Sequence, residues 1–365
     1  MIPCNDSKRL FEKYKDEFEN AALNVLRSGW YILGENVKAF EEEFAKSLDA
    51  KYCVGVDNGT NAIKIGIQSL GIGRGDEVIV QANTYIATVL GITSNGATPI
   101  FVEPNEYFNM DDSHLEEKIT KRTKAILVTH LYGQATKLDK IIDLCKKYNL
   151  YLLEDCAQAH YAKYKNKFVG TIGTLGFFSF YPTKNIGSFG DAGAIVTNDE
   201  QLYEKIKMLR NYGSKVRYQF DLENGYNSRI DEIQAALLRV KINHREEITN
   251  EKIYIANRYL TEIKNKFVKL PKVDKDCHSV WHLFTLVVND REKFMKHLLN
   301  NCVKSDIHYP IPPHLSKCYK YLNYKIGDFP ITEYLSRHIV DLPIFNGMSE
   351  EEIEEVIKAV NSYEE

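Results

Sequence analysis

The chain has 365 residues, 44% hydrophobic and 27% charged, and its 47 Lys and Arg nearly balance 50 Asp and Glu for a formal net charge of −3. That length allows about two domains of ordinary size around a large core. No basic excess exists for nucleic acid or an anionic membrane surface, and high apolar content with low net charge excludes a disordered chain.

In chain order, Phe18, Ala21, Ala22, Val25 and Leu26 recur at helical spacing. SGWYILG breaks that helix, and Val37, Phe40 and Phe44 mark a second. Short apolar runs at 52–56, 77–80, 99–102, 125–130, 151–155, 176–180 and 194–197 read as strands. They are continuous rather than alternating, the pattern of strands buried on both faces. Helical stretches at 60–70 and 136–148 make βαβ units, so a mostly parallel sheet of about seven strands is expected. The Gly-rich gap from 180 to 194 is too short for a helical crossover, which predicts an antiparallel last pair. Residues 226–270, free of Pro and of Gly after 225, read as helices leaving a large domain at 1–240 for a small α+β domain at 241–365. There, 283–288 is a strand, and Ser349 with Glu352 forms a capping box for the last helix.

Seven cysteines (4, 53, 145, 156, 277, 302 and 318) form no CxxC pair and no zinc-spaced cluster. Free thiols in a reducing compartment are expected, and no metal site. MIPCNDSKRLFEKYKDEF carries charge where a signal peptide needs an apolar stretch, and no apolar run approaches the ~20 residues of a bilayer span, so the cytoplasm is the expected location.

Ligands of open α/β sheets bind at the carboxyl ends of the strands. The first strand runs into VDNGTNAIKIGIQSL, where Gly59 permits close approach, Thr60 offers a hydroxyl and helix amides face any anion. By itself this is also an ordinary helix cap. GIGRGDE at 71–77 precedes a strand and reads as a turn. YLLED ends in Asp155, followed by Gln158 and His160. In GFFSFYPTKNIGSFGDAGAIVT, Ser179 ends a strand and Lys184 sits in a Gly-flanked loop, where a desolvated amine would make a good Schiff-base nucleophile. An anion cup, an acid and a lysine in that order suit pyridoxal phosphate, which needs donors for its phosphate, a carboxylate for its ring nitrogen and an amine for its aldehyde.

On SGWYILGENVKAFEEEFA, VDNGTNAI, GIGRGDEVIVQANTYIAT, LLEDCAQAH, FFSFYPTKNIGSFGDAGA and YNSRIDEIQAALL, the chain resembles the DegT/DnrJ/EryC1/StrS nucleotide-sugar aminotransferases over essentially its full length. The resemblance implies the aspartate-aminotransferase-like fold (fold type I), pyridoxal 5'-phosphate as cofactor and a homodimer with shared active sites. It implies Lys184 as Schiff-base lysine, Asp155 at the pyridinium nitrogen, Gln158 at the phenolic oxygen and Tyr85 stacked on the ring. Gly59, Thr60 and Ser179 would hold the phosphate, with Asn227 reaching the neighbouring subunit's phosphate. Tyr181, His308 and Tyr309, and more weakly Lys215 and Trp30, would contact the sugar. NGTNAI and NTYIAT resemble the subgroup aminating C3 of dTDP-linked 3-keto-6-deoxyhexoses. Asn61, where many relatives carry Asp, and Gln81, where Pro is common, depart from the pattern.

The implied reaction is a ping-pong transamination from L-glutamate to the keto sugar, with Lys184 as general acid/base. Three alternatives stand beside it: a C4 aminotransferase of a UDP-linked sugar, a non-catalytic regulatory protein binding the same cofactor, and a nicotinamide dehydrogenase. The dehydrogenase lacks its G-x-G-x-x-G after the first strand.

Overall fold

A computed structural model describes residues 1–365. Three helices open the chain, α1 (Ser7–Lys13), α2 (Lys15–Ser28) and α3 (Glu35–Ser47). The expected strands follow as β1 (Tyr52–Val56), β2 (Glu77–Gln81), β3 (Thr98–Val102), β4 (Thr123–Thr129), β5 (Tyr151–Asp155), β6 (Leu175–Ser179) and β7 (Gly193–Thr197). Between and after them lie α4 (Gly59–Ser69), α5 (Ile86–Thr93), α6 (Asp139–Tyr148) and α7 (Glu200–Leu209). The seven strands form one sheet in the order β1-β7-β6-β5-β4-β2-β3. Only β7 runs against the rest, pairing antiparallel with β1 and β6. The sheet is thus mostly parallel, and the 180–194 gap is the antiparallel return that its length requires.

Successive strand residues feed opposite cores, as the pleat demands. Phe178 joins Phe40, Phe44, Ile126 and Ile141 on the face covered by α3 and α6. Phe177 joins Ile63, Val80, Leu127 and Ile195 on the face covered by α4 and α5. Both faces are buried, which is why the strands read as unbroken apolar runs.

The helical reading of 226–270 is corrected in detail. Residues before Glu232 are not helical, and His244 (φ −99°, ψ 13°) divides the rest into α8 (Glu232–Asn243) and α9 (Arg245–Glu262). The buried Glu232 carboxylate accepts the backbone N–H groups of Gly34 (2.8 Å), Asn36 (2.9 Å) and Val37 (2.8 Å), so α8 supplies the N-terminal cap that α3 lacks locally.

A separate core joins Ile255 and Tyr259 of α9 with Phe284, Leu286, Phe294, Ile353 and Val356, and with Ile2 and Val303 from distant parts of the chain. Its strand at Phe284–Val288 is the middle of a three-stranded sheet, flanked by Val268–Lys269 and Ile339–Leu342. Both flanking strands are too short to show a sequence pattern. The Ser349–Glu352 capping box is present. No helix is long and apolar enough to cross a membrane.

Candidate active site

The carboxyl ends of β1, β2, β4, β5 and β6 open on one cavity of about 390 Å³. Asn58, Gly59, Thr60, Tyr85, Asp155, Gln158, Ser179, Tyr181, Lys184, His308 and Tyr309 are among its lining residues. Most of the residues expected at a site therefore meet there, from strand ends separated by more than a hundred positions.

The floor is the N-terminus of α4. Asn58 caps it by accepting the Asn61 N–H at 2.8 Å, leaving the amides of the first turn without helical partners. A Cβ on Gly59 would lie 2.6 Å from that of Ser179, so only glycine lets the helix start this close to the end of β6. Asn61 itself points elsewhere. Its amide donates to both oxygens of Asp57 (3.0 and 2.9 Å), and the Ser228 hydroxyl donates to the same carboxylate. An aspartate at 61 would put like charge against Asp57, which accounts for the departure here. Gln81 is buried, donating to Asn83 Oδ1 (3.0 Å) and accepting the Thr129 N–H (3.3 Å).

Asp155 is buried at the end of β5. Its Oδ1 accepts the Ala157 N–H at 3.0 Å and its Oδ2 the Thr88 hydroxyl at 2.7 Å. Burial raises its pKa above the ordinary carboxylate value, against the opposing pull of Thr88, the Ala157 amide, Lys184 and His130. Thr88 Oγ1 lies 2.8 Å from Thr84 Oγ1, which lies 3.0 Å from Thr129 Oγ1. A carboxylate only accepts, so with Asp155 ionised the hydroxyl row is polarised in one sense, Thr129 to Thr84 to Thr88 to Asp155. Sequence reading missed this row. The signal was the i, i+4 placement of Thr84 and Thr88 in NTYIAT.

Lys184 is half-buried in the loop after β6, its backbone N–H bonded to Tyr181 O at 2.8 Å. Burial lowers its pKa to about 8, with Asp155 pulling the other way. Its Nζ lies 3.5 Å from Nε2 of His282, a second cavity residue that sequence reading missed. Gln158 accepts the Tyr132 N–H at 2.7 Å and donates to the Tyr309 hydroxyl at 3.0 Å. Tyr309 also stacks on Tyr85, with centroids 4.7 Å apart and planes 28° off parallel. The aromatic expected over a cofactor ring and the one expected at the sugar are thus already paired. His308 Nδ1 lies 2.7 Å from the buried Asp341 carboxylate. Against the effect of burial, that carboxylate raises the imidazole's pKa. Tyr181 is exposed at the rim.

Three expected residues are not in the cavity. Trp30 is exposed, its indole N–H bonded to Ile32 O at 2.8 Å. Lys215 lies 3.8 Å from Glu204 on an exposed hairpin, and Asn227 is exposed and bridged to Asn211. Lys215 lines a surface groove with the exposed Ile32, Tyr212, Tyr218 and Phe220. His160 is fully buried against Phe178 and Phe180, outside the cavity lining.

His130, Glu154 and Cys156 lie close enough to suggest a cation site. Their hydrogen bonds argue otherwise. Glu154 accepts from Gly170, Ile172 and Gly173 amides (2.8, 2.9 and 2.6 Å). His130 Nδ1 accepts the Thr136 N–H at 2.9 Å, so its Nε2 carries the proton and donates to Glu154 at 3.0 Å. Neither imidazole nitrogen has a lone pair to spare.

Pyridoxal phosphate fits the cavity residues. The cradle that a Cβ at 59 would fill, with Thr60 and Ser179 beside it, suits a phosphate. A buried carboxylate with spare acceptor capacity suits a protonated ring nitrogen, and a desolvated lysine amine suits an aldehyde.

Comparison with known proteins agrees. The chain is 49% identical, over 100% of its length and 99% of the relative's, to the dTDP-3-amino-3,6-dideoxy-alpha-D-galactopyranose transaminase of Aneurinibacillus thermoaerophilus. It is 39% identical, over 100% and 96%, to the dTDP-3-amino-3,4,6-trideoxy-alpha-D-glucose transaminase of Streptomyces venezuelae. The crystal structure of S. venezuelae DesV in complex with a ketimine intermediate superposes with a TM-score of 0.97 at 39% identity, covering 99% of this chain and 97% of that one. The model of the DegT/DnrJ/EryC1/StrS aminotransferase family matches residues 12–361, and the chain belongs to that family.

Proposed function

We propose that this chain transfers the amino group of L-glutamate to the C3 keto group of a dTDP-3-keto-6-deoxyhexose, yielding 2-oxoglutarate and a dTDP-3-amino-3,6-dideoxyhexose. The observation that carries the reading is the meeting of Lys184, Asp155 and the α4 N-terminus in one cavity. The relatives named above support the substrate class.

Lys184 holds the aldehyde of pyridoxal phosphate, Asp155 its ring nitrogen and Gln158 its phenolic oxygen. Gly59, Thr60 and Ser179 hold its phosphate, and Tyr85 covers its ring. When bound, the cofactor supplies an electron sink for the carbanion at the donor's Cα. With its pKa near 8, a useful fraction of Lys184 is neutral at physiological pH, so the amine takes the proton from the donor Cα and later returns one to C3 of the sugar. Asp155 stays ionised beside a cation, because the attraction offsets the burial that otherwise raises its pKa. Tyr181, His308 and Tyr309 contact the sugar. We assign 1–240 to cofactor binding and 241–365 to the smaller domain. Asn227, Lys215 and Trp30 act across a homodimer, for which the exposed aromatic face around Tyr218 and Phe220 is the natural seam.

The visible spectrum of the reconstituted protein tests this. A yellow band that bleaches with L-glutamate and returns with a dTDP-3-keto sugar supports the proposal. Return only with a UDP-4-keto sugar would assign C4 chemistry instead, and Lys184→Ala with normal turnover would refute the lysine's role.

A further inference from the structure

Behind Lys184 lies a buried polar row that no role above uses. The Asn185 side chain, 3% exposed, donates from Nδ2 to Val280 O at 2.8 Å. That bond turns Oδ1 toward Lys252 and His282. Lys252, buried on α9, donates to Asn185 Oδ1 and His282 O, both at 3.2 Å. Two independent contacts therefore fix the amide's orientation. His282 Nδ1 lies 3.3 Å from the same Oδ1, which has no proton to give, so Nδ1 must carry the hydrogen. The opposite nitrogen, Nε2, then presents a lone pair, and it lies 3.5 Å from Lys184 Nζ.

We propose that His282 is a positioning residue for Lys184: locked in its Nδ1–H tautomer by the Lys252–Asn185 pair, it accepts one hydrogen of the lysine amine through Nε2 and so aims the amine's lone pair. A neutral amine has two hydrogens and one lone pair, and anchoring one hydrogen restricts where the lone pair points. The role as stated for catalysis rests on the aminotransferase reading, whereas the tautomer and the Lys184–His282 contact do not. Burial, with the positive charges of Lys184 and Lys252 next, keeps His282 well below its ordinary pKa, so the ring stays a neutral acceptor. Lys252 is itself lowered to about 7 by burial and by Lys184. The other titratable groups facing this row are Asp155, His160 and His308.

The test uses the full chain with and without pyridoxal phosphate. Competitive acetylation of Lys184 across pH, read by mass spectrometry on cofactor-free protein, gives the amine's titration midpoint. His282→Leu removes an acceptor that favours the ammonium form and should lower that midpoint. In the loaded enzyme His282→Leu should lower kcat by about 10- to 100-fold with KM for the sugar little changed, and His282→Gln, whose carbonyl can accept, should recover part of the loss. Nitrogen-15 spectra of the histidine-labelled, unsubstituted protein should show His282 neutral with its proton on Nδ1. A proton on Nε2, an imidazolium at neutral pH, or an unchanged Lys184 midpoint in His282→Leu would overturn the proposal. The spectra and the acetylation decide this even if the sugar or the donor proves to be different.

Discussion

Replacing Thr88 with Val isolates one contribution to the environment of Asp155. The two side chains are close in shape, and Thr88 is 1% exposed, so the change removes a hydroxyl and leaves little cavity. It deletes the 2.7 Å bond to Asp155 Oδ2 and the acceptor that receives Thr84 at 2.8 Å. A hydrogen bond to a charged group is worth about 1.5–3 kcal/mol, and one pKa unit is about 1.4 kcal/mol, so the Asp155 pKa should rise by about one to two units.

The direction with pH follows from linkage. Asp155 in the folded protein already titrates above its ordinary value. Between the unfolded and folded pKa the native state holds more protons than the unfolded one, so this group's contribution to stability falls as pH rises through that window. Thr88→Val extends the window upward. The variant's extra deficit should be small at pH low enough to protonate Asp155 and should grow to its full size once pH exceeds the variant's raised pKa. Urea unfolding of cofactor-free protein at matched concentration, from about pH 5 to 8, measures this. A deficit of equal size at every pH would mean lost packing or the stranded Thr84 hydroxyl, and would refute the argument that the row serves the carboxylate.

Gly59→Ala forces a Cβ to 2.6 Å from Ser179 Cβ, a clash of the kind that costs about 1–3 kcal/mol; cofactor affinity measured by absorbance titration should fall. Glu154→Ala leaves three backbone amides and the His130 N–H without their acceptor and should destabilise the fold by about 3–5 kcal/mol, read by chemical denaturation. Asn61→Asp places a carboxylate against Asp57, and the loss of stability should shrink at pH low enough to protonate one of the pair. Tyr218→Glu with Phe220→Glu should shift the sedimentation profile toward monomer and lower activity at low protein concentration.

What the sequence reveals of the site is what local geometry controls. Gly59, Thr60, Asp155, Ser179 and Lys184 all sit at or just beyond the end of a strand, and a parallel sheet brings such ends together whatever the loops do. His282 has no such marker. It comes from an irregular segment about a hundred residues beyond Lys184 and is placed by backbone bonds, Val280 N–H to Gly133 O at 2.9 Å and Leu283 N–H to Tyr132 O at 3.3 Å. Its partner Lys252 lies on a helix whose apolar pattern says nothing about a buried amine. Trp30, Lys215 and Asn227 fall outside the single chain's cavity, so any role for them depends on a second subunit.

Glu154 and Asp155 show how little residue type decides alone. Both are acids at the end of one apolar strand, and both are buried. The pleat sends them to opposite faces. Glu154 is met by three amides and an imidazole N–H, which occupy its lone pairs and turn it into the anchor of the 170–173 loop. Asp155 faces the cavity with one amide and one hydroxyl, fewer donors than its oxygens can accept. A buried carboxylate saturated by its own chain has nothing left for a ligand. One left short, with its pKa pushed up by burial, gains most from a cation placed beside it, and the hydroxyl of Thr88 at the end of its row favours the anionic form against that burial.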